Sequence, residues 1–157
     1  MSLIDETLAE HRFFRSVDPA FLSILKGCAS MVDVKAGEII FRQGHDAKRF
    51  YGLDRGRVAL ELHTPGKGIV VIETLGPGDV FGSSWLFPPY QYDYDARAVQ
   101  DTRAVAFNAE CLRNLCEADH DLGYDLMKRF AAIMRSRLQM ARLQCLDIYS
   151  ISDGSKR

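Results

Sequence analysis

The sequence predicts a mainly β fold with flanking helices: an antiparallel double-stranded β-helix, a jelly-roll-like barrel, with N-terminal helices before it and a long C-terminal helix after it. Three observations predict this. The apolar period is helical from Leu3 to Met31, becomes two from Val32 to Phe107, and is helical again from Asn108 onward. Glycine-rich punctuation cuts the middle stretch at Ala36-Gly37-Glu38, Arg42-Gln43-Gly44, Asp54-Arg55-Gly56, Thr64-Pro65-Gly66-Lys67-Gly68 and Gly76-Pro77-Gly78-Asp79, the spacing of many short antiparallel strands. A length of 157 residues suits one domain and is short for two. The expected divisions are a helical prelude over 1–31, a barrel over 32–107 and C-terminal helices over 108–149. A frayed polar tail is expected over 150–157.

Composition narrows the function classes. Hydrophobic residues at 47% and charged residues at 26% are those of an ordinary globular protein, which excludes disordered and collagen-like chains. A net charge of -1 excludes the overall basicity that non-specific nucleic-acid binding favours, so such a role would need a local patch. No apolar run approaches the roughly 20 residues of a membrane span. The start Met1-Ser2-Leu3-Ile4-Asp5-Glu6 is acidic and lacks a secretory pattern, so a cytoplasmic protein is expected. Cys28, Cys111, Cys116 and Cys145 are scattered without a C-x-x-C pair and read as reduced, mostly buried thiols.

In the prelude, Leu8, Phe13, Phe14, Phe21, Leu22 and Leu25 form the apolar stripe, interrupted at Ser16-Val17-Asp18-Pro19. Asp18 suits an N-cap and Pro19 a first helical position, so a second helix is expected over about Pro19 to Ala29. In the middle segment Val58, Leu60 and Leu62 alternate with exposed positions, as do Ile69 and Val71, Ala96 and Ala98, and Val105 and Phe107. Leu60, Val71, Phe81 and Val105 are expected inside the barrel. Gly76-Pro77-Gly78 reads as a type II turn, because proline presets one dihedral and the second glycine supplies a positive φ.

Asn108 is the expected N-cap of a helix through about Ala118, and a longer helix follows over about Asp119 to Asp147. Its apolar stripe is Met127, Phe130, Met134, Leu138, Ala141, Cys145 and Ile148. The other face holds Lys128, Arg129, Arg135, Arg137 and Arg142 against Asp125. A solvated face is the plainer account of those charges, and an anion-binding surface the sharper one.

The order of prelude, glycine-punctuated barrel and terminal helix resembles the cyclic-nucleotide-binding domain family, which includes the regulatory domain of the bacterial catabolite activator protein. Phe13-Phe14 with Val17, Leu22, Leu25 and Ala29 is similar to the family's opening helix pattern. Gly37-Glu38, Ile40-Phe41, Gln43-Gly44, Tyr51, Gly56-Arg57-Val58 and Leu60 follow its first strands and turns. Leu75-Gly76-Pro77-Gly78-Asp79-Val80-Phe81-Gly82 resembles the approach to its phosphate-binding cassette, and the likeness covers about Phe13 to Ile148.

A cyclic nucleotide needs amide donors, a cation for its phosphate and an acceptor for its ribose hydroxyl. The resemblance assigns the hydroxyl to a Glu directly after Phe-Gly and the phosphate to an Arg. Here the Glu position is Ser83. The Arg position has two registers. Without gaps it falls on Tyr92, and Arg97-Ala98-Val99-Gln100-Asp101 becomes the strand after the cassette; with an insertion around Pro88-Pro89-Tyr90 it falls on Arg97. The gapless register is preferred because it keeps Asp101 in agreement.

On that register both charged anchors are missing, and neutral groups cannot replace a charge-assisted grip on phosphate. The candidate ligand-binding residues are therefore Gly82, Ser83, Ser84, Trp85, Tyr92 and Arg97, with a cyclic nucleotide or another small anionic ligand as the possible occupant. Trp85 and Phe87 read most simply as filling the barrel, with an aromatic-lined pocket as the other account.

No catalytic constellation is expected. His11, His45, His63 and His120 lack cupin spacing, Cys116 and His120 read as a thiol and a histidine rather than a zinc pair, and Asp93 and Asp95 read as solvated acids. No metal cofactor and no enzyme activity are expected. The chain stops at Arg157, so no DNA-reading domain is expected within it. The long helix is expected to pair with a second copy, giving a homodimer. The reading is a stand-alone regulatory or sensor module that does not bind cAMP or cGMP in the usual way. The alternatives are a nucleotide-binding signalling protein using Arg97, and a structural module without a ligand.

Overall fold

In the computed structural model, residues 2–155 are described, with side-chain surroundings over 2–147. Helix α1 (Leu3–Glu10) starts in a capping box, with the Ser2 hydroxyl accepting from the Asp5 N–H and the Asp5 carboxylate accepting from the Ser2 N–H. Helix α2 (Pro19–Leu25) is capped by the Asp18 carboxylate, which accepts from the Ala20 N–H, and ends in a 3-10 turn over Lys26–Cys28. Eight strands follow: β1 (Ala29–Val34), β2 (Ile39–Phe41), β3 (Arg49–Arg55), β4 (Val58–Thr64), β5 (Gly68–Leu75), β6 (Val80–Phe81), β7 (Asp95–Ala98) and β8 (Thr102–Asn108). A 3-10 helix over Ser83–Leu86 separates β6 from β7, and α3 (Ala109–Ala118) and α4 (His120–Ser155) complete the order.

The strand pairings are all antiparallel, as expected. They form two four-stranded sheets, ordered β1-β8-β3-β6 and β2-β7-β4-β5, which pack as an open sandwich and do not close into the expected barrel. The Gly76–Asp79 turn is as expected: Gly78 has φ +93° and the Asp79 N–H donates to the Gly76 carbonyl at 3.1 Å.

Two apolar layers share the β1-β8-β3-β6 sheet. Alternation along β3 and β8 sends Tyr51, Leu53, Ala104 and Ala106 into the sandwich, and Phe50, Val105 and Phe107 to the opposite side, where α1 to α4 cover them. Leu60 and Phe81 lie inside the sandwich as expected; Val105 is buried, but in the helical layer. Val71 is a correction. It is 51% exposed, because the β4–β5 register, shifted at Leu60/Glu61, sets it opposite Glu61 on the outer face of its sheet. At Gly52 a Cβ would stand 3.0 Å from the Phe14 ring and 3.1 Å from Val105, so glycine is what lets the prelude seat on β3.

The cysteine expectation fails: Cys28 and Cys111 form a disulfide, and of the two free thiols Cys116 is half-buried and Cys145 exposed. Distance along the chain concealed the pairing. Antiparallel register sets Ala29 opposite Phe107, so the residue before β1 meets the first turn of α3, with Cα atoms 5.7 Å apart.

Asn108 caps α3 as expected, its side chain accepting from the Cys111 N–H at 2.9 Å. Helix α4 passes the expected end near Asp147 and continues to Ser155. The side chains of the expected frayed tail, and Ile148 of the stripe, lie outside the described surroundings. The rest of the stripe divides: Phe130 is buried and Met127 packs against the helical layer, whereas Met134 and Leu138 are exposed. The basic face is not simply solvated either. Arg129 donates to the Ser16 hydroxyl at 2.7 Å and to Asp125 at 2.8 Å, and Arg137 donates to the Val80 carbonyl at 2.6 Å.

Candidate functional site

Strand β6 ends at Gly82, whose φ of +83° turns the chain into the short 3-10 helix. A Cβ there would press the Arg49 carbonyl at 3.2 Å, so the left-handed turn and the close approach both call for glycine. Ser83 and Ser84 are half-buried, and the Ser84 hydroxyl lies 3.4 Å from the Asp93 carboxylate. Trp85 is fully buried, but in the helical layer, with ring centroids 6.2 Å from Phe50 and 5.7 Å from Phe130. Phe87 is 56% exposed. Neither ring fills the sandwich as the plain reading expected: Trp85 lies on the Phe50 side of the β1-β8-β3-β6 sheet beneath the helices, and Phe87 faces solvent.

Tyr92 does fill it. Its ring stacks on Phe41 with centroids 3.7 Å apart and planes 7° from parallel. Its hydroxyl donates to the Arg49 carbonyl at 2.7 Å and accepts from the Arg49 N–H at 3.3 Å. Burial pushes this phenol far above the ordinary tyrosine range. A second stacked pair, Tyr51 and Phe81, lies beside the first at 4.9 Å between centroids. Small residues Ala96, Ala104 and Ala106 belong to the same buried cluster and leave the width that these rings occupy. Tyr94, half-buried beside Phe41, completes the cluster, and burial raises its hydroxyl too.

Arg97 is elsewhere. It pairs across β4 with Ala59, on the face of β7 opposite the inward-pointing Ala96, and its guanidinium grips the outer Glu61 carboxylate, with Nε to Oε1 at 3.0 Å and Nη2 to Oε2 at 2.8 Å. The Glu61 side chain is 3% exposed and that of Arg97 34%. Asp93 is exposed, but Asp95 is not the solvated acid expected. It is buried, accepts from the Gln43 N–H at 2.7 Å and stands 3.3 Å from the His63 Nε2.

Of the six candidate residues, Gly82 and Tyr92 meet around Phe41, with Ser83 and Ser84 following Gly82. Trp85 and Arg97 lie on other faces. Sequence reasoning missed Phe41, Tyr51 and Phe81 as a ring cluster, and Glu61 as the partner of Arg97. The period-two alternation of β4 held a signal for Glu61, since it falls out of phase with Val58, Leu60 and Leu62. Chemically, the interior offers neutral hydroxyls and ring faces, while the charged pairs sit outside. Among the described residues, no group of three or more His, Cys, Asp or Glu side chains is placed to hold a metal ion.

Residues 31–119 match the family model of the cyclic nucleotide-binding domain. The chain belongs to this family. Among curated relatives of this cyclic nucleotide-binding domain, the CRP-like cAMP-activated global transcriptional regulator of Mycobacterium tuberculosis is 26% identical over 132 residues, covering 84% of this chain and 59% of that protein. The chain thus spans less than two thirds of that relative's length. Among solved structures, a putative cyclic nucleotide-binding protein from Geobacter metallireducens superposes with a TM-score of 0.77 at 30% identity, covering 88% of this chain and 99% of that one. The catabolite activator protein of Thermus thermophilus gives a TM-score of 0.68 at 27% identity, covering 88% and 63%. The family is a regulatory one, and no helix among the described residues is long and apolar enough to cross a membrane.

Proposed function

We propose that this chain is a regulatory module of the cyclic nucleotide-binding type whose sandwich interior does not hold cAMP or cGMP in the usual way. The observation that carries the reading is Tyr92, stacked at 3.7 Å on Phe41 and tied by its hydroxyl to Arg49, at the position where the gapless register puts the phosphate arginine. Ser83 supplies a neutral hydroxyl where the family resemblance puts a carboxylate. Arg97, the alternative phosphate group, faces outward and is engaged by Glu61. Two charged-group hydrogen bonds are thereby absent, each worth about 1.5–3 kcal/mol, so affinity falls by a factor on the order of a hundred or more.

Calorimetric titration of cAMP and cGMP into wild type, Arg97→Ala and the pair Ser83→Glu with Tyr92→Arg tests this. Weak or silent wild type with gain in the double variant supports it. Micromolar wild-type binding that Arg97→Ala abolishes would replace it with the nucleotide-signalling alternative.

The module pairs through α4. Met134, Leu138, Met140, Leu143 and Leu146 are exposed along it, beyond the segment that Phe130 anchors to the helical layer. Five large apolar side chains on one solvent-facing stretch exceed what a solvated helix carries. Sedimentation of wild type beside Leu138→Glu decides the point, and a monomeric mass for wild type would refute it.

A further inference from the structure

A cleft of about 380 Å³ opens between the residues after β6 and the corner where α3 meets α4, on the far side of the sheet from the sandwich interior. Its walls are largely aromatic and apolar, from Trp85, Tyr90, Tyr124 and Met127, with Arg113 and Glu117 as charged groups. We propose that this cleft binds a small aromatic carboxylate, whether or not the sandwich interior takes a nucleotide.

Arg113 is already positioned for such a ligand. Its Nη1 donates to the Trp85 carbonyl at 2.9 Å and its guanidinium lies 4.3 Å from the centroid of the Tyr90 ring. Those contacts fix the plane of the group, and its Nε and Nη2 have no hydrogen-bond partner among the described residues. A planar fork held from behind with free N–H groups suits a carboxylate.

One further observation converges on the same wall. Tyr90 is the one non-glycine residue with positive φ among those described, at +57°. It is held there on both sides, its N–H donating to the Phe87 carbonyl at 2.9 Å and its carbonyl accepting from the Ala47 N–H at 2.7 Å. Backbone kept in a sparsely populated region by its surroundings is common where a side chain must be aimed, and here the aimed ring carries Arg113.

Glu117, exposed at the rim, sets the charge of the ligand. A carboxylate beside the arginine repels a doubly charged phosphate ester more than a monoanion, so a single carboxylate on an aromatic body fits best. A ligand so placed touches both the segment after β6 and the α3–α4 corner.

Trp85 is the single tryptophan of the chain, so its fluorescence reports this cleft directly. Phenylacetate titrated into the full chain should give a saturable change. Affinity should fall roughly tenfold or more in Arg113→Gln, and fall also in Tyr124→Ala, whose ring is exposed and not needed for folding. Acetate and phenethylamine, lacking the ring and the negative charge respectively, should give no saturable change. The proposal is overturned if phenylacetate gives no saturation up to its solubility limit, if acetate or phenethylamine binds as well, or if Arg113→Gln retains wild-type affinity. Should Arg113→Gln fail to fold by circular dichroism, Tyr124→Ala decides, and unchanged affinity there overturns the proposal.

Discussion

The two layers on either side of the β1-β8-β3-β6 sheet are built from the same alternating strands, yet they are filled differently. The helical layer is packed by Phe13, Phe14, Phe50, Phe107, Phe130 and Trp85, rings that meet at tilted or edge-on angles and come from segments far apart in the chain. Such contacts join the prelude, the sheet and α4 into one unit. The sandwich layer instead holds rings in face-to-face pairs against alanines, and the Tyr92 hydroxyl is tied to the backbone of Arg49. An apolar layer built only for stability has little use for a buried phenol, which must keep its hydrogen bond when it leaves water. The difference teaches that one face of a shared sheet is filled by rings stacked in parallel pairs against alanines, and the other by rings crossing at tilted or edge-on angles.

The largest expected effect tests whether those rings are structural. Tyr92→Ala and Phe130→Ala should each cost about 3–5 kcal/mol, because both remove a large buried ring and leave a cavity. Tyr92→Phe should cost about 1 kcal/mol, since the ring stays and the Arg49 carbonyl loses its donor. Urea unfolding midpoints at constant slope measure all three. A cost for Tyr92→Ala below about 1 kcal/mol would break the comparison, for the ring would then be a removable occupant rather than part of the core.

Next in size is the charged pair on the outer face of the second sheet. Removing Arg97 leaves Glu61 buried without its partner, which costs about 3–5 kcal/mol for a fully buried pair. The Arg97 side chain is 34% exposed, so solvent screening reduces the expected loss to about 1–3 kcal/mol. The pair Glu61→Gln with Arg97→Ala should lose less than Arg97→Ala alone, since no buried charge remains. Equal losses in the single and double variants would show that Glu61 does not depend on Arg97. Cyclic-nucleotide affinity should not change in either variant, which sharpens the assignment of Arg97 to the outer face.

Much of this was legible in the sequence where local rules act. Asp18 and Pro19, Asn108, and Gly76-Pro77-Gly78 each specify a helix start or a turn through their own dihedrals and side-chain acceptors, and each is found as expected. Alternation likewise announced the strands. It did not say which of two apolar layers a buried position faces, so Val105 went to the helical side, and it did not show the register shift that turns Val71 to the outer face. Cys28 and Cys111 escaped because their meeting depends on the β1–β8 register, a long-range fact. At the candidate site the gapless register singled out Tyr92, but its stacking partner Phe41 lies on another strand. Trp85 packs against Phe50 and Phe130 on β3 and α4, so the side of the sheet it takes is a long-range fact that the local composition does not specify.

The smallest effect separates the two layers by pH. His11 is buried beside Phe14 on the helical side; its Nδ1 accepts from the Phe13 N–H at 3.1 Å and its Nε2 has no hydrogen-bond partner among the described residues. Burial is the main cause that holds its pKa below the ordinary 6.5, with the Leu53 and Asp79 carbonyls working against it. The unfolded chain therefore takes up this proton before the folded one does. Stability is fully present above the unfolded value and is lost as pH falls below it toward the folded value, with a slope of at most about 1.4 kcal/mol per pH unit from one proton. The sandwich layer responds on the other side. Burial raises the Tyr51, Tyr92 and Tyr94 hydroxyls above 10.0, so the unfolded chain loses those protons first, and stability is lost as pH rises past that value. Urea midpoints measured across pH should thus show an acid limb that His11→Leu flattens and Tyr92→Phe leaves alone, and an alkaline limb with the opposite sensitivities. An acid limb unchanged in a folded His11→Leu would place the responsible proton outside the helical layer.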